Sequence, residues 1–362
     1  MEKLGMIENL QASYQGKRIF LTGHTGFKGS WMLQMLKELG AVVKGYSLAP
    51  DQDPSLFDLI QGEALCESVI ADIRDRERLK KELVDFQPDF VFHMAAQALV
   101  IDSYREPVET YETNVLGTVN LLDAVRHLEK PCNVVVITTD KVYENKEVMR
   151  PYLESDELGG YDPYSNSKAC AELATRSYRL SFFHPDQYTD HQKWVATVRS
   201  GNVIGGGDWS ANRIVPDLAR ALRAGEPLQV RNPNAVRPWQ HVLEPIGGYL
   251  LLGHYMATEG KAYADAFNFG PVEEDALTVG DLVKIALEAW GSGSFETPAL
   301  ENQPHEAGLL MLDITKADKM LQWQPKFRSR EAIRTTIEWY KEFEADPIAT
   351  TRKQIRDYFG FS

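Results

Sequence analysis

A loop with three regularly spaced glycines is the feature that most constrains how this chain can fold. Gly23, Gly26 and Gly29 follow the apolar run at 18–22 and precede the helical spacing at 30–39. Glycine permits a tight turn and a close approach of phosphate to the backbone, and a helix N-terminus offers unpaired N–H groups to an anion. The pattern predicts a dinucleotide site, whereas the alternative is a glycine-rich turn without a ligand. The expected cofactor contacts in this loop are Gly23, Thr25, Gly26, Phe27, Lys28 and Gly29.

Strand and helix patterns alternate through the first half of the chain. Strands are predicted at 18–22, 41–48, 68–71, 89–96, 133–139 and 194–199, and helices at 30–39, 74–86, 108–128 and 165–183. Such alternation implies right-handed crossovers and a parallel sheet with helices on both faces. The sequence therefore predicts an α/β protein with a Rossmann-type doubly wound sheet.

The second half contains more Gly and Pro and is less regular. Helical patterns recur at 215–224, 279–290 and 329–344. We predict a cofactor-binding domain over 1–196 and a smaller, mixed α/β substrate domain over 197–362, with segments around 240–270 returning to the sheet.

Composition excludes several classes of function. The formal charge of -13 disfavours nucleic acid as a partner, although a local group of arginines can still bind a phosphorylated small molecule. No apolar run is long enough to span a membrane, and the N-terminus lacks the apolar region of a secretory signal. The three cysteines have no metal-ligand spacing. These features predict a cytoplasmic protein without a metal site.

Two points about the cofactor stay open at this stage. An acidic residue often follows the second strand and binds the ribose hydroxyls, but this chain has Tyr-Ser-Leu at 46–48 with Lys44 nearby. The choice between NAD and NADP is therefore not settled here. Asp72 follows the third strand and is a candidate for contact with the adenine, and Ile73 is its neighbour. The alternative role for Asp72 is a helix N-cap.

Two further patterns carry chemistry. Tyr164 and Lys168 are four residues apart, so they lie on the same face of a helix. A lysine beside a phenol favours the phenolate, which can take a proton from a hydroxyl group while hydride leaves the same carbon. Thr139, Asp140 and Lys141 follow the fifth strand, at the sheet edge where ligands bind. The alternative there is an ordinary turn with a surface salt bridge.

These motifs together identify a resemblance. The glycine loop, HMAAQ at 93–97, TTDKVY at 138–143 and YSNSK at 164–168 resemble the extended short-chain dehydrogenases/reductases. TGHTGFKGSWM, TTDKVYENKE, SGNVIGGGDW, RPWQHVLEP and HEAGLLMLD narrow the resemblance to the CDP-glucose 4,6-dehydratases, over about residues 17–339. The resemblance implies NAD as cofactor, with contacts from Ala95 and Ala96, and CDP-glucose as substrate. Its usual context is the synthesis of deoxysugars for surface polysaccharides such as the lipopolysaccharide O-antigen.

The resemblance also implies a role for each catalytic candidate. Tyr164 would take the proton of the glucose 4-hydroxyl, Thr139 would share a hydrogen bond with that group, and Lys168 would hold the phenolate and the nicotinamide ribose. Asp140 would protonate the departing 6-hydroxyl. The dTDP-glucose relatives have Glu where this chain has Lys141, so Lys141 is either a neutral base at C5, which we favour slightly, or a charged group that stabilises the enolate.

The substrate site and the assembly are likewise expected from the resemblance. The substrate-binding candidates are Gln97, Ser103, Asn202, Arg213, Arg231, Arg237 and His305. Any one of them can alternatively be a solvated side chain or part of a structural salt bridge. The helices at 108–128 and 165–183 would form a four-helix bundle in a homodimer, with an apolar stripe made of Leu121, Leu122, Val125, Leu173 and Leu180.

Two other functions remain possible for such a sequence. One is an epimerase or reductase that acts on another nucleotide sugar, which Asp140 and Lys141 disfavour. The other is a catalytically silent nucleotide-binding or regulatory protein, which the intact Tyr164–Lys168 pair disfavours.

Overall fold

The computed structural model describes residues 5–146, 150–297 and 310–361. Its strands are β1 (Arg18–Thr22), β2 (Val42–Ser47), β3 (Glu67–Ile70), β4 (Phe90–His93), β5 (Cys132–Ile137), β6 (Lys193–Ser200), β7 (Val203–Ile204), β8 (Leu228–Gln229), β9 (Val236–Arg237), β10 (Gln240–His241), β11 (Ala266–Phe269), β12 (Leu277–Thr278) and β13 (Phe295–Glu296). Seven of these strands form one sheet, and the others form short two-stranded pairs.

Helices cover both faces of that sheet. They are α1 (Met6–Tyr14), α2 (Phe27–Glu38), α3 (Leu56–Leu59), α4 (Arg76–Phe86), α5 (Val100–Arg105), α6 (Pro107–Tyr111), α7 (Gly117–Val125), α8 (Pro163–Ser181), α9 (Tyr188–His191), α10 (Ile214–Ala224), α11 (Leu243–Thr258), α12 (Val279–Trp290), α13 (Thr315–Leu321), α14 (Ser329–Glu342) and α15 (Pro347–Phe359). Within the described ranges, no helix combines the length and the apolar character needed to cross a membrane.

The order of the strands determines where a ligand can bind. The sheet runs β11-β6-β5-β4-β1-β2-β3, and every neighbouring pair is parallel. The chain thus moves outward from β1 to β3 and then returns to the other side of β1. In open sheets of this kind, ligands bind at the carboxyl ends of the strands where the order reverses. The predicted doubly wound α/β fold is confirmed.

The central strands are buried on both faces, as parallel strands between helices should be. Phe90 and Phe92 of β4 point into one core cluster, while Val91, between them, points into the other. β5 alternates in the same way. Because successive side chains of a strand face opposite sides of the sheet, these short apolar runs anchor helices on both faces and fix the catalytic edge in position.

The two halves of the chain share one core. The boundary expected between residues 196 and 197 lies inside β6, and the indole N–H of Trp31 on α2 donates to the carbonyl of Gly206, at 2.9 Å. The segment around 240–270 supplies α11 and β11, and α11 is buried along most of its length. The packing thus has no break at 196/197, because both halves contribute to one continuous core, and the functional division between them stays a prediction.

Candidate active site

The glycine loop joins β1 to α2 at the point where the strand order reverses. Gly23 has φ +76°, and a Cβ there would lie 2.7 Å from the Ala95 nitrogen. A Cβ on Gly29 would lie 2.0 Å from the Gly23 carbonyl oxygen. Gly26 is exposed and is the N-cap of α2, with no side chain bonded to the first-turn N–H groups. This helix start suits the diphosphate of a dinucleotide.

The end of β2 determines which dinucleotide fits. Lys44, the cation that left the choice open, is buried and forms ion pairs with Glu67 at 2.9 Å and Glu82 at 2.5 Å. Its charge is therefore neutralised within the protein and is not offered to a 2′-phosphate. Thr25 of the glycine loop contacts the end of β2, because its hydroxyl lies 2.9 Å from that of Ser47. These residues fit NAD.

Asp72 and Ile73 follow β3, near the expected adenine position. The Asp72 carboxylate accepts a hydrogen bond from Arg74 Nη2 at 2.6 Å, and this pairing lowers the pKa of Asp72. The N-cap of α4 is Asp75, which accepts from the Arg78 N–H, so the alternative of Asp72 as the helix cap is wrong. The Ile73 side chain is buried against Gly117, where a Cβ would lie 2.7 Å from its Cγ2.

A short turn after β5 carries the acid. The Thr139 hydroxyl donates to Asp140 Oδ1 at 2.9 Å, and Lys141 Nζ lies 3.9 Å from the same oxygen. Asp140 is buried, whereas the side chain of Lys141 is 42% exposed. A Cβ on Gly201 would lie 1.9 Å from Asp140 Oδ2. Glycine at 201 thus makes room for the carboxylate beside the end of β6.

Tyr164 reaches the same turn from the start of α8. Asp162 caps that helix by accepting from the Ser165 N–H at 2.9 Å, which places Tyr164 in the first turn. Burial raises the pKa of Tyr164, while the charge of Lys141 and a hydrogen bond with Thr139 lower it. The phenol and the strand-end acid therefore lie on the same side of the sheet.

Lys168 lies one turn further along α8. Its ammonium is buried and donates to the Ile137 carbonyl at 2.9 Å, which ties α8 to the end of β5. Burial lowers the pKa of Lys168 to about 8, and the negative charge of Glu172 opposes that effect. The cations that lower the pKa of Tyr164 are Lys141 and Arg213. Its hydrogen bond thus holds Lys168 at the end of β5, and its contacts with the phenolate and the nicotinamide ribose stay a prediction.

A buried charge network lies behind the catalytic residues and was missed in the sequence. Glu172 accepts from Thr138 Oγ1 at 2.6 Å, from Thr197 Oγ1 at 2.7 Å and from Arg199 Nε at 3.0 Å. It thereby links α8 to β5 and β6 directly below the active-site edge. The sequence did contain one indication of Glu172, because it follows Lys168 by four residues and therefore shares its helix face.

Asn114 is a second missed residue. It lies in the π-helical turn Glu112–Leu116 between α6 and α7. Its amide donates to the Gln97 carbonyl at 3.0 Å and to Ser167 Oγ at 2.9 Å, and it accepts from the Gln97 N–H at 2.9 Å. Such turns are frequent at functional sites. This one holds the chain after β4 against α8.

A cleft opens beside Asp140 on the side of the second half of the chain. It is lined by Gly201, Pro238, Gln240, Gly270, Pro271, Val272, Glu273 and residues 310–312. Asn202 adjoins it with φ +50°, and its carbonyl accepts from the Gln240 N–H at 3.2 Å. Arg237, on β9, precedes Pro238 in this lining. The cleft is therefore continuous with the catalytic turn.

The remaining substrate-binding candidates differ in their surroundings. Arg213 Nη1 lies 3.1 Å from Asp208 Oδ2, and Arg231 is exposed. The Gln97 side chain folds back onto Leu99, with bonds of 2.9 Å and 2.7 Å. His305 lies outside the described residues.

Ser103 corrects one expectation about the sugar site. It is fully buried within α5, and its hydroxyl donates to the Val100 carbonyl at 2.7 Å. A sugar hydroxyl cannot reach it in this arrangement.

Fold and site together define the class of protein. A dinucleotide-type glycine loop at the reversal of a parallel sheet, facing Tyr164 and Lys168 across the end of β5, belongs to the extended short-chain dehydrogenases/reductases. The family model described as GDP-mannose 4,6 dehydratase matches residues 20–336. The chain belongs to this family of NAD-dependent nucleotide-sugar dehydratases, and the expectation of such an enzyme is confirmed.

Individual relatives agree with this assignment. The CDP-glucose 4,6-dehydratase of Salmonella typhimurium is 47% identical, covering 96% of this chain and 97% of its own. The CDP-paratose 2-epimerase of Salmonella typhi is 25% identical, covering 89% and 98%. Among solved structures, a dTDP-glucose 4,6-dehydratase from Streptomyces venezuelae with NAD bound has a TM-score of 0.74 at 25% identity, covering 91% of this chain and 99% of that one.

Proposed function

We propose that this chain converts CDP-D-glucose to CDP-4-keto-6-deoxy-D-glucose with NAD as cofactor. The observation that carries the proposal is the convergence of Tyr164, Thr139 and Asp140 at one sheet edge beside the glycine loop. The 47% identity with a CDP-glucose 4,6-dehydratase over nearly the whole chain supports the choice of substrate. The three cysteines are free thiols, which supports the expected cytoplasmic location.

Each catalytic side chain then has one task. When bound, NAD accepts hydride from C4 of the sugar and returns it to C6. Tyr164 takes the proton of the 4-hydroxyl, and Thr139, in the same turn as Asp140, orients that hydroxyl. Asp140, in its protonated form, donates to the 6-hydroxyl as it leaves as water. The buried setting of Asp140 suits this role, because it keeps bulk water from competing for the proton.

Lys141 is proposed as the group that takes the C5 proton as water leaves and returns a proton to C5 when hydride reaches C6. Replacing Lys141 with methionine is expected to stop exchange of the C5 hydrogen with solvent deuterium, while oxidation at C4 continues and reduced cofactor accumulates. Exchange is measured by mass spectrometry of the recovered sugar nucleotide in D₂O. Lys141→Arg is the sharper variant, because arginine keeps the charge but does not release its proton. Retained exchange in Lys141→Arg would instead assign Lys141 to stabilisation of the enolate.

The diphosphate and the nucleotide are proposed to lie over the second half of the chain. Arg213 and Arg237 are the proposed diphosphate ligands, since a guanidinium pairs well with phosphate oxygens, and Asn202, which follows Gly201 of the cleft lining, is proposed to contact the same group. Arg231 and His305 remain predicted contacts of the nucleotide.

A panel of substrates tests the proposed function. The purified protein is incubated with NAD and, separately, with CDP-glucose, dTDP-glucose, UDP-glucose and GDP-mannose, and the product masses are followed. The proposal expects loss of one water from CDP-glucose, much faster than from the others, without a build-up of NADH. A product of unchanged mass would point to an epimerase, as in the CDP-paratose 2-epimerase relative. Absence of turnover on all four would contradict the proposal.

A homodimer is proposed through α6, α7 and α8, but only Leu173 and Leu180 of the apolar stripe first expected are exposed. Leu121, Leu122 and Val125 are fully buried in the chain's own core, so they cannot contact a partner. Exposed apolar residues in or next to these helices are Val108, Tyr111, Leu116, Leu173, Leu180 and Phe182. The α6 and α8 helices pack side by side, so these residues can form one surface for a second copy.

Disrupting that surface is expected to dissociate the dimer. Leu173→Glu puts a charge at the centre of the proposed contact, where burial without a partner is unfavourable. Sedimentation equilibrium should give about twice the 40.9 kDa chain mass for the unaltered protein and a single chain mass for the variant. Leu153→Glu, at an exposed leucine outside these helices, serves as the control. A monomeric unaltered protein would refute the dimer.

A further inference from the structure

Lys28 occupies an unusual electrostatic position. It is the second residue of α2, within the glycine loop, and it is partly buried. The buried lysines all have acceptors: Lys44 pairs with two glutamates, Lys168 donates to the Ile137 carbonyl, and Lys193 donates to the His191 carbonyl. In the part of the chain that the structure describes, Lys28 has neither a hydrogen bond nor an ion pair.

The neighbours of Lys28 belong to the catalytic site. Its Nζ lies 5.9 Å from the ring centroid of Tyr249, whose hydroxyl is hydrogen-bonded to Ser200 at the end of β6. Burial, together with the charges of Lys168 and Arg213 and against that of Asp140, lowers the pKa of Lys28 to about 8. The ammonium therefore points from the cofactor loop towards the substrate side of the sheet edge.

Three cations, Lys28, Lys168 and Arg213, thus face this region together with the carboxylates of Asp140 and Asp208. The carboxylate of Asp208 already engages Arg213, and Asp140 is engaged by Thr139. A group of cations of this kind that the protein leaves partly uncompensated attracts an anion. The start of α2 already offers main-chain N–H groups for the cofactor diphosphate. The side chain of Lys28 can therefore bind the diphosphate of a second ligand.

We propose that the Lys28 ammonium binds a diphosphate oxygen of the nucleotide sugar, on the side facing Arg213, so that one loop serves both ligands. The inference rests on the proposed function only in taking the substrate to be a nucleoside diphosphate sugar. It makes Lys28 a residue that selects diphosphates over monophosphates and that positions the sugar under Tyr164.

Binding of paired nucleotides tests this directly. Calorimetric titrations of the NAD-saturated protein compare CDP with CMP, for the unaltered chain and for Lys28→Met. Lys28→Met is expected to weaken CDP binding roughly tenfold to a hundredfold, as for a charged hydrogen bond, and to change CMP binding less than about twofold. Lys28→Arg should restore most of the preference for CDP. Lys37→Met, at an exposed lysine of the same helix, is the matched control and should behave like the unaltered protein.

The other outcomes are separable. An unchanged ratio of CDP to CMP affinity in Lys28→Met would overturn the inference. The inference would also be overturned if Lys28→Met weakened only the binding of NAD, measured by titrating NAD into the cofactor-free protein. The same titrations are repeated with UDP and UMP, dTDP and dTMP, and GDP and GMP. They separate the proposal that CDP-glucose is the substrate from the proposal that Lys28 binds the diphosphate. A Lys28-dependent diphosphate preference with a base other than cytosine would contradict the proposed substrate but support the role of Lys28.

Discussion

Replacing Tyr164 with phenylalanine will lower the turnover number for dehydration by about 10²–10⁴-fold, the range expected when a general base is removed. Phenylalanine keeps the ring that fills the start of α8 but lacks the oxygen that meets the 4-hydroxyl. The affinity for CDP should change little, because the tyrosine oxygen faces the sugar and the catalytic turn. Steady-state rates give the first quantity, and calorimetry with CDP gives the second.

A nearby tyrosine provides the control. Tyr161 precedes α8 and is 89% exposed, so Tyr161→Phe should retain full activity. If Tyr164→Phe kept more than about a tenth of the activity, the phenol would not be the base, because general base catalysis is worth at least about a hundredfold.

Replacing Glu172 with glutamine should destabilise the protein by about 3–5 kcal/mol, since removing one member of a buried ion pair leaves the other charge uncompensated. Arg199 is the charge left behind, and both side chains are almost fully buried. Urea unfolding followed by circular dichroism measures the loss. Glu157→Gln is the matched control, because Glu157 pairs with Lys146 on the surface. That change should cost much less, because water and salt screen an exposed ion pair.

The pH dependence and a double variant sharpen this prediction. Burial alone would raise the pKa of Glu172. The charge of Arg199 and the hydrogen bonds from Arg199, Thr138 and Thr197 have the larger, opposite effect, so the pKa of Glu172 is lowered overall. A carboxylate with a lowered pKa stabilises the folded state above its unfolded pKa, and that stability is lost as the pH falls through its folded pKa. Glu172→Met combined with Arg199→Met should cost clearly less than the sum of the two single changes. Additive losses would contradict a coupled pair.

The parts of the site that depend on local pattern could be read from the sequence. The glycine loop, the TTDKVY turn and the Tyr164–Lys168 spacing each lie within one strand–turn–helix unit, and parallel sheets bring strand ends to one edge. Their convergence follows from the alternation of elements alone.

What the sequence could not supply depends on tertiary partners. Helical periodicity shows that a helix has an apolar face but not what covers it, and the face with Leu121 and Val125 covers the sheet. The long helix expected at 108–128 is divided by the π-helical turn that carries Asn114, which periodicity does not reveal. α11 is apolar all round, so it lacks the amphipathic pattern that marks a helix in sequence. The burial of Ser103 and the position of Lys28 beside Tyr249 appear only when the neighbouring elements are in place.

The central claim is that one site removes hydride at C4, eliminates water across C5 and C6, and delivers the same hydride to C6. CDP-glucose deuterated at C4 tests it in a single incubation with the unaltered protein and NAD, followed by mass spectrometry and NMR of the product. The expected product has lost one water and carries the deuterium at C6. Deuterium that stays at C4 in a product of unchanged mass, or that is released into solvent, would contradict it.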